Sequence, residues 1–380
     1  MTEISDTWCA LPWQGVVMQP WGDAQVCCLV DSIRKSSVNE YVSSNELLQL
    51  KKDMLAGKKP EQCNVCWKNE QQGLTSWRQR KNKQFSHLTS LDQKQDPLFF
   101  SLDYVELYIS NKCNSKCRMC KPKWSTAWIP EYKDATVKSI FNYSTEVEKH
   151  VVKYNHLSTD ILDDLADRIN SKESHTVLSL RGGEPCYAEE TFYLLSNIKN
   201  PRNVSLDLTT NGTIVNKTIL HTLSKFKGIL LGLSIDASEG LNQYIRGNDT
   251  SNSILIENIR QYLNLPNIDN FFISNTIMIY NAFDNFKMKN EINSMLGFAP
   301  AYDDKILYHP AHLKIHILPD RIKKLIPNYE IMMAANTGKE DATLMNKWYV
   351  FTKKIDELRK QNITSMVPEL EVLYTDLENG

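Results

Sequence analysis

From Val105 to Ser110 the chain alternates apolar and polar side chains, Val-Glu-Leu-Tyr-Ile-Ser. That is the period of a strand with one face buried. Apolar runs at 176–180, 204–209, 229–235, 271–279 and 313–318 read as further strands. Between them, apolar residues recur at helical spacing over 159–170, 189–198, 215–226, 253–263 and 284–295. Strands alternating with helices predict an α/β fold with a parallel sheet and six strand–helix units. Upstream, 17–21 and 25–28 flank Gly22-Asp23, a hairpin signal. Residues 45–55 have a helical pattern that ends at Gly57. Residues 68–100 are polar and carry the basic run 78–83, read as a solvated surface in a linker. The insertion 124–157 is rich in aromatics and reads as a packed helical excursion, and 321–380 reads as helical, most clearly over 346–360.

The 380 residues suffice for one large domain and a smaller one. Charged residues are 23% and the formal net charge is −1, so no polyanion-binding surface is indicated and nucleic acid is not an expected partner. No apolar run is long enough for a transmembrane helix, and the N-terminus lacks the regions of a signal peptide. A cytoplasmic protein without membrane partners is expected. In that compartment the nine cysteines read as metal ligands rather than disulfides. Eight lie in the first third of the chain, and only Cys186 lies outside it.

Three of them, Cys113, Cys117 and Cys120, form C-x3-C-x2-C just after the 105–110 strand. Three thiolates on one loop suit three irons of a cubane, leaving the fourth open to a small molecule. A zinc site wants a fourth ligand nearby, and none follows Cys120 within the usual spacing. The motif resembles the signature of the radical S-adenosylmethionine (radical SAM) enzymes. The resemblance covers about residues 103–320 and implies a partial (β/α)6 barrel. It also implies a [4Fe–4S] cluster that binds SAM through the open iron. Reductive cleavage of SAM to a 5′-deoxyadenosyl radical would follow, with a flavodoxin- or ferredoxin-type donor supplying the electron. Met119 stands where the family usually has an aromatic residue. Gly182, Gly183 and Glu184 resemble its Gly-Gly-Glu motif, with Glu184 placed to accept from the SAM amino group. Thr210 and Asn211 belong to a Thr-Asn-Gly run near substrate and SAM. Ser234 and Asp236, two apart and so on one face of a strand, match its ribose and methionyl contacts. Arg246 resembles the arginine that pairs with the SAM carboxylate, and Asn281 is a further contact.

Upstream, Cys9, Cys27, Cys63 and Cys66 resemble the four ligands of a SPASM/twitch domain over roughly 7–70, here preceding the barrel. The hairpin would bring Cys9 and Cys27 together from separate strands, and Cys63/Cys66 would close the site. Cys27 fits the spacing better than Cys28. On donor chemistry alone the four suit zinc as well as iron; beside the triad, an auxiliary [4Fe–4S] cluster serving as electron relay is the expectation. The implied organisation is 1–75 auxiliary domain, 76–101 linker, 102–320 barrel and 321–380 helical segment. The substrate, a peptide or a small molecule, is not specified by these motifs. The rival reading is a non-catalytic module that binds zinc or a cluster.

Overall fold

A computed structural model of the chain describes residues 4–247, 250–327 and 340–379. Nine strands are described: β1 Gly15–Met18, β2 Ala24–Cys27, β3 Val30–Lys35, β4 Tyr104–Tyr108, β5 Thr176–Arg181, β6 Val204–Thr210, β7 Gly228–Ser234, β8 Ile268–Ile277 and β9 Ala301–Ile306. Their order in the sheet is β3-β2-β1-β4-β5-β6-β7-β8-β9. The hairpin β1–β2 is antiparallel, with Gly22 at φ +97° in the turn. β1 pairs parallel with β4, which pairs parallel with β5, and β5 with β6. β8 and β9 are also parallel. Parallel strands separated by helices are the α/β architecture that the periodicity predicts.

The chain divides into two compact units. The first comprises Met1–Ser110, Asn155–Leu208 and His221–Leu230; the second comprises Asn111–Tyr154, Thr209–Leu220 and Leu231–Gly380. In the first, β4–β6 turn Val105, Leu107, Leu178, Leu180, Leu206 and Leu208 to one face, all buried. Alternation puts Glu106, Ser179 and Asp207 in register on the other. There Arg181 pairs with Asp207 at 2.7 Å, Ser179 donates to Asp207 at 3.1 Å, and the Tyr104 hydroxyl donates to Glu106 at 3.0 Å.

Three expectations change. The boundary near residue 75 has no counterpart in the sheet, because β1 is hydrogen-bonded directly to β4. The supposed linker contains the helices Trp77–Phe85 and Leu91–Gln95, each started by a capping box, Ser76 with Gln79 and Ser90 with Gln93. Within its basic run Arg78 and Lys81 are buried. Lys81 lies 3.9 Å from the Tyr104 ring centre and 4.5 Å from that of Trp77, and Arg78 lies 4.8 Å from that of Trp67. Ring faces thus take part of the place of water around these cations. Burial draws the Lys81 ammonium down to about 8, against the opposing pull of Asp207 and Glu106.

In the second unit, 313–318 is not a strand. It forms the 3-10 turns Ala311–Leu313 and Ile315–Ile317, whose apolar side chains enter the core without pairing to a strand. The sixth barrel strand is instead β9, polar and largely exposed. The insertion is helical over Ile129–Tyr132, Ala135–Phe141 and Thr145–Val151. Trp128, Tyr132, Phe141 and Tyr143 pack there among themselves, and Phe351 of the helix Ala342–Arg359 joins them. The helices Ile363–Met366 and Glu371–Asn379 follow; the part of the expected helical segment at 328–339 lies outside the described residues. No described helix is long and apolar enough to cross a membrane.

Phe85, 1% exposed in the supposed linker and 5.2 Å from the Tyr104 ring, provides a test. Phe85→Ala is expected to lower unfolding stability by about 3–5 kcal/mol in a guanidinium titration; a change within about 0.5 kcal/mol would mean that the segment is not part of the core.

Candidate functional site

The loop carrying Cys113, Cys117 and Cys120 has almost no regular structure of its own, so its shape is imposed by what surrounds it in the second unit. Arg118 is fully buried: its backbone N–H donates to the Ile245 carbonyl at 2.8 Å and its Nε to the Tyr244 carbonyl at 3.0 Å. Its Nη2 donates to Asp356 at 2.5 Å and to Gln361 at 2.9 Å, and its guanidinium lies 3.7 Å from the Tyr244 ring centre. The Trp128 indole donates to the Cys117 carbonyl at 3.1 Å, and Ser125 donates to the Ser115 carbonyl at 2.6 Å. Asn211 donates to Asn114 at 2.9 Å and to Ser115 at 3.2 Å. Backbone and polar side chains are thereby spent on holding the loop, which leaves three thiols as its chemistry.

Burial raises the Cys117 thiol, and Arg246 and Arg359 pull it down. Cys120 is raised further, first by burial and then by its neighbours Cys117 and Cys113. Without a metal, Cys117 and Cys120 therefore favour their protonated forms, and a bound cation reverses this by taking the thiolates as ligands.

Beside the loop lies a buried ion pair. Arg246 donates from Nη1 to Asp236 at 2.7 Å, and the other Asp236 oxygen accepts from the Thr276 N–H at 2.8 Å. Burial alone would lower Arg246, but Cys117 and Asp236 outweigh it and raise the group, so the guanidinium stays charged. Its Nε is buried without a hydrogen-bond partner. A buried cationic donor with an unspent N–H beside three thiols suits a ligand that brings a carboxylate.

Among the other expected SAM contacts in this unit, Ser234 is half-buried at the end of β7 and Met119 packs against the core. The Thr210 hydroxyl accepts from the Gly212 N–H at 3.1 Å. Asn211 braces the cysteine loop as described. Asn281 spends its amide on the Asp236 carbonyl at 2.6 Å and the Thr276 carbonyl at 2.9 Å, and accepts from the Met278 N–H at 2.7 Å. Both asparagines therefore hold the walls of the site together.

The Gly-Gly-Glu run belongs to the first unit. Gly182 has φ +109°, and a Cβ there would stand 2.6 Å from the Ser110 carbonyl oxygen, which also accepts from the Gly183 N–H at 2.8 Å. Only glycine meets both conditions. Glu184 is buried and accepts from the Cys186 N–H at 3.0 Å.

Also in the first unit, Cys9, Cys27, Cys63 and Cys66 line one cavity together with Leu11, Val26, Leu50, Met54, Trp77 and Arg78. Cys9 is not on a strand as expected; it precedes the helix Leu11–Gln14. Burial pushes Cys9 and Cys63 up to about 12, with Arg78 opposing, and Cys27 also lies well above its ordinary value. Cys28 does not line the cavity; it is raised by burial and by Glu106, which belongs to the polar face of β4. Among the described residues no three His, Cys, Asp or Glu side chains converge as they would around a single ion. A zinc ion draws its sulfurs to about 2.3 Å, whereas a cubane places four irons between them. The donor set, all sulfur in a largely apolar wall, suits a [4Fe–4S] cluster as well as zinc.

Residues 107–283 match the family model described as the radical SAM superfamily. The chain carries a radical SAM domain. Among solved structures, a native anSMEcpe with bound AdoMet is 18% identical, with a TM-score of 0.41, over 68% of this chain and 62% of that one. Streptococcus suis SuiB bound to S-adenosylmethionine is 14% identical, with a TM-score of 0.40, over 94% of this chain and 77% of that one. SuiB bound to the precursor peptide SuiA is 13% identical, with a TM-score of 0.34, over 81% and 64%. The chain thus spans less than two thirds of the anSMEcpe chain. No curated protein matches it.

The radical SAM domain contains the cysteine triad, the ion pair and every SAM-contact candidate, while Asp356 and Arg359 lie beyond the matched stretch. Those two, with Arg118 and Glu131, escaped the sequence reading. Its one signal was a basic residue inside a loop otherwise devoted to sulfur.

Gly182→Ala is expected to cost about 1–3 kcal/mol of stability through its positive φ and its approach to Ser110, read as a shifted denaturation midpoint. A midpoint equal to wild type would show that the backbone there is free to move.

Proposed function

We propose that this protein is a radical SAM enzyme whose Cys113, Cys117 and Cys120 hold a [4Fe–4S] cluster. The observation that carries the reading is the charged, partly unpartnered Arg246 beside those thiols, paired to Asp236 in a stretch that belongs to the radical SAM superfamily. When bound, the cluster supplies one electron to SAM, whose cleavage gives methionine and a 5′-deoxyadenosyl radical able to take a hydrogen atom from a substrate. The protein's own residues position and exclude. Arg246 offers its free Nε to the SAM carboxylate. Asp236 keeps that guanidinium oriented, and the Thr276 N–H keeps Asp236 oriented. Gly182 and Gly183 bring bare backbone to the end of β4, and Glu184 provides the acceptor for an amino group. Met119 packs an apolar, polarizable side chain beside the loop.

Cys9, Cys27, Cys63 and Cys66 are proposed to hold an auxiliary [4Fe–4S] cluster. Four thiolates would saturate it, which suits a relay of electrons better than binding of substrate. The donor for the first cluster is proposed to be a flavodoxin or ferredoxin. The substrate is a peptide or a small molecule, and the protein acts in the cytoplasm.

Anaerobic reconstitution should give about eight irons per chain, four for each cubane, and 5′-deoxyadenosine should form from SAM with dithionite. Cys117→Ala should abolish 5′-deoxyadenosine and leave about four irons. Cys63→Ala should remove the other four and leave SAM cleavage in place. Zinc without iron, or SAM cleavage that survives Cys117→Ala, would contradict the assignment and favour a binding module.

A further inference from the structure

Outside the matched stretch, the helix Ala342–Arg359 ends in two residues directed at the cysteine loop, Asp356 and Arg359. Asp356 holds Arg118. Arg359, in the last position of the helix, donates from Nη2 to the Lys116 carbonyl at 2.7 Å. It also meets Glu131 through Nε at 3.1 Å and Nη2 at 2.8 Å, and Lys116 closes the group by donating to Glu131 at 2.6 Å. Thus the residue before Cys117 and the residue after it are each tied to this helix by a buried guanidinium. Gly247, one residue past Arg246, completes the enclosure: a Cβ there would stand 2.7 Å from Arg359 Nη1 and from the Lys116 carbonyl. Arg359 Nη1 is buried without a hydrogen-bond partner.

We infer that Asp356 and Arg359 are positioning residues of the cofactor site, fixing Cys117 from both sides, and that Arg359 adds a second positive charge beside that of Arg246. The C-terminal helix is then a working part of the site. Ligand thiolates and a reduced cluster carry net negative charge, and a fixed cation nearby favours the reduced form. This inference rests on the cluster assignment above, and the experiment separates the two.

Wild type, Arg359→Lys, Arg359→Met and Asp356→Asn are reconstituted anaerobically as full-length proteins. Iron and sulfide are counted, and the midpoint potential is measured by an EPR-monitored redox titration. Melting of each protein before reconstitution reports folding. Arg359→Met should hold the SAM-site cluster about 10- to 100-fold less tightly, as loss of an outer-shell partner does. What cluster remains should have a more negative midpoint. Arg359→Lys keeps the charge and loses the fork, so its midpoint should return toward wild type while its affinity stays reduced. Asp356→Asn should weaken cluster binding with little change in potential. If Arg359→Met melts like wild type and matches it in iron and in potential, the inference is overturned. If Arg359→Met fails to fold, Arg359→Lys decides, and wild-type affinity in that variant overturns it equally. If wild type itself takes no cluster at the triad, the cluster assignment fails and this inference falls with it.

Discussion

A guanidinium with no access to water, Arg118, is the fixed point of the cysteine loop. Burying such a charge costs several kcal/mol unless it is paired, and removing one partner of a buried pair costs about 3–5 kcal/mol. Here the cost is met from three directions: Asp356 in the C-terminal helix, the Tyr244 carbonyl and the Tyr244 ring. A loop without helix or strand has few internal hydrogen bonds to define it. Its conformation is therefore set by this anchor, and the thiols on either side of Arg118 inherit that rigidity. Asn211, Ser125 and Trp128 fix the remainder. Ligand positioning is thus a tertiary property of the second unit.

The first unit answers a related demand in another way. Four thiols and Arg78 share an apolar cavity, and Arg78 is held by both oxygens of Glu70 and by the Asp6 and Trp8 carbonyls. Burial discourages the thiolate form of Cys9, Cys27 and Cys63, which suits a ligand that displaces the protons. Cys27, the last residue of β2, enters the cavity, while Cys28 lies in the turn that follows and does not line it.

The core strands and helices were legible because their faces differ sharply in polarity, and β4, β5, β6, β7 and β8 were all readable from apolar runs. The sixth was not. β9 reads Ala-Tyr-Asp-Asp-Lys-Ile, and as the last strand in the order it buries too little to carry an apolar pattern. The apolar run 313–318 has such a pattern, yet its Leu313, Ile315 and Ile317 are buried from 3-10 turns set between Pro310 and Pro319. Periodicity reports burial, and burial does not require pairing with a strand. The helix Trp77–Phe85 was hidden by its charges: aromatic rings and carbonyls accommodate Arg78 and Lys81, and the capping box at Ser76 was the signal that marked it. The triad and the Asp236–Arg246 pair were legible because their spacing is local, whereas the partnership of Arg118 with Asp356 spans 238 residues and leaves no local trace.

The most direct measurement is the EPR spectrum of the dithionite-reduced, anaerobically reconstituted protein, with and without SAM. The expected result is the signal of a reduced [4Fe–4S] cluster whose g-values change when SAM is added, as they would if SAM bound the iron left without a cysteine. A cluster signal indifferent to SAM, or no cluster signal from a protein that holds zinc, would contradict it.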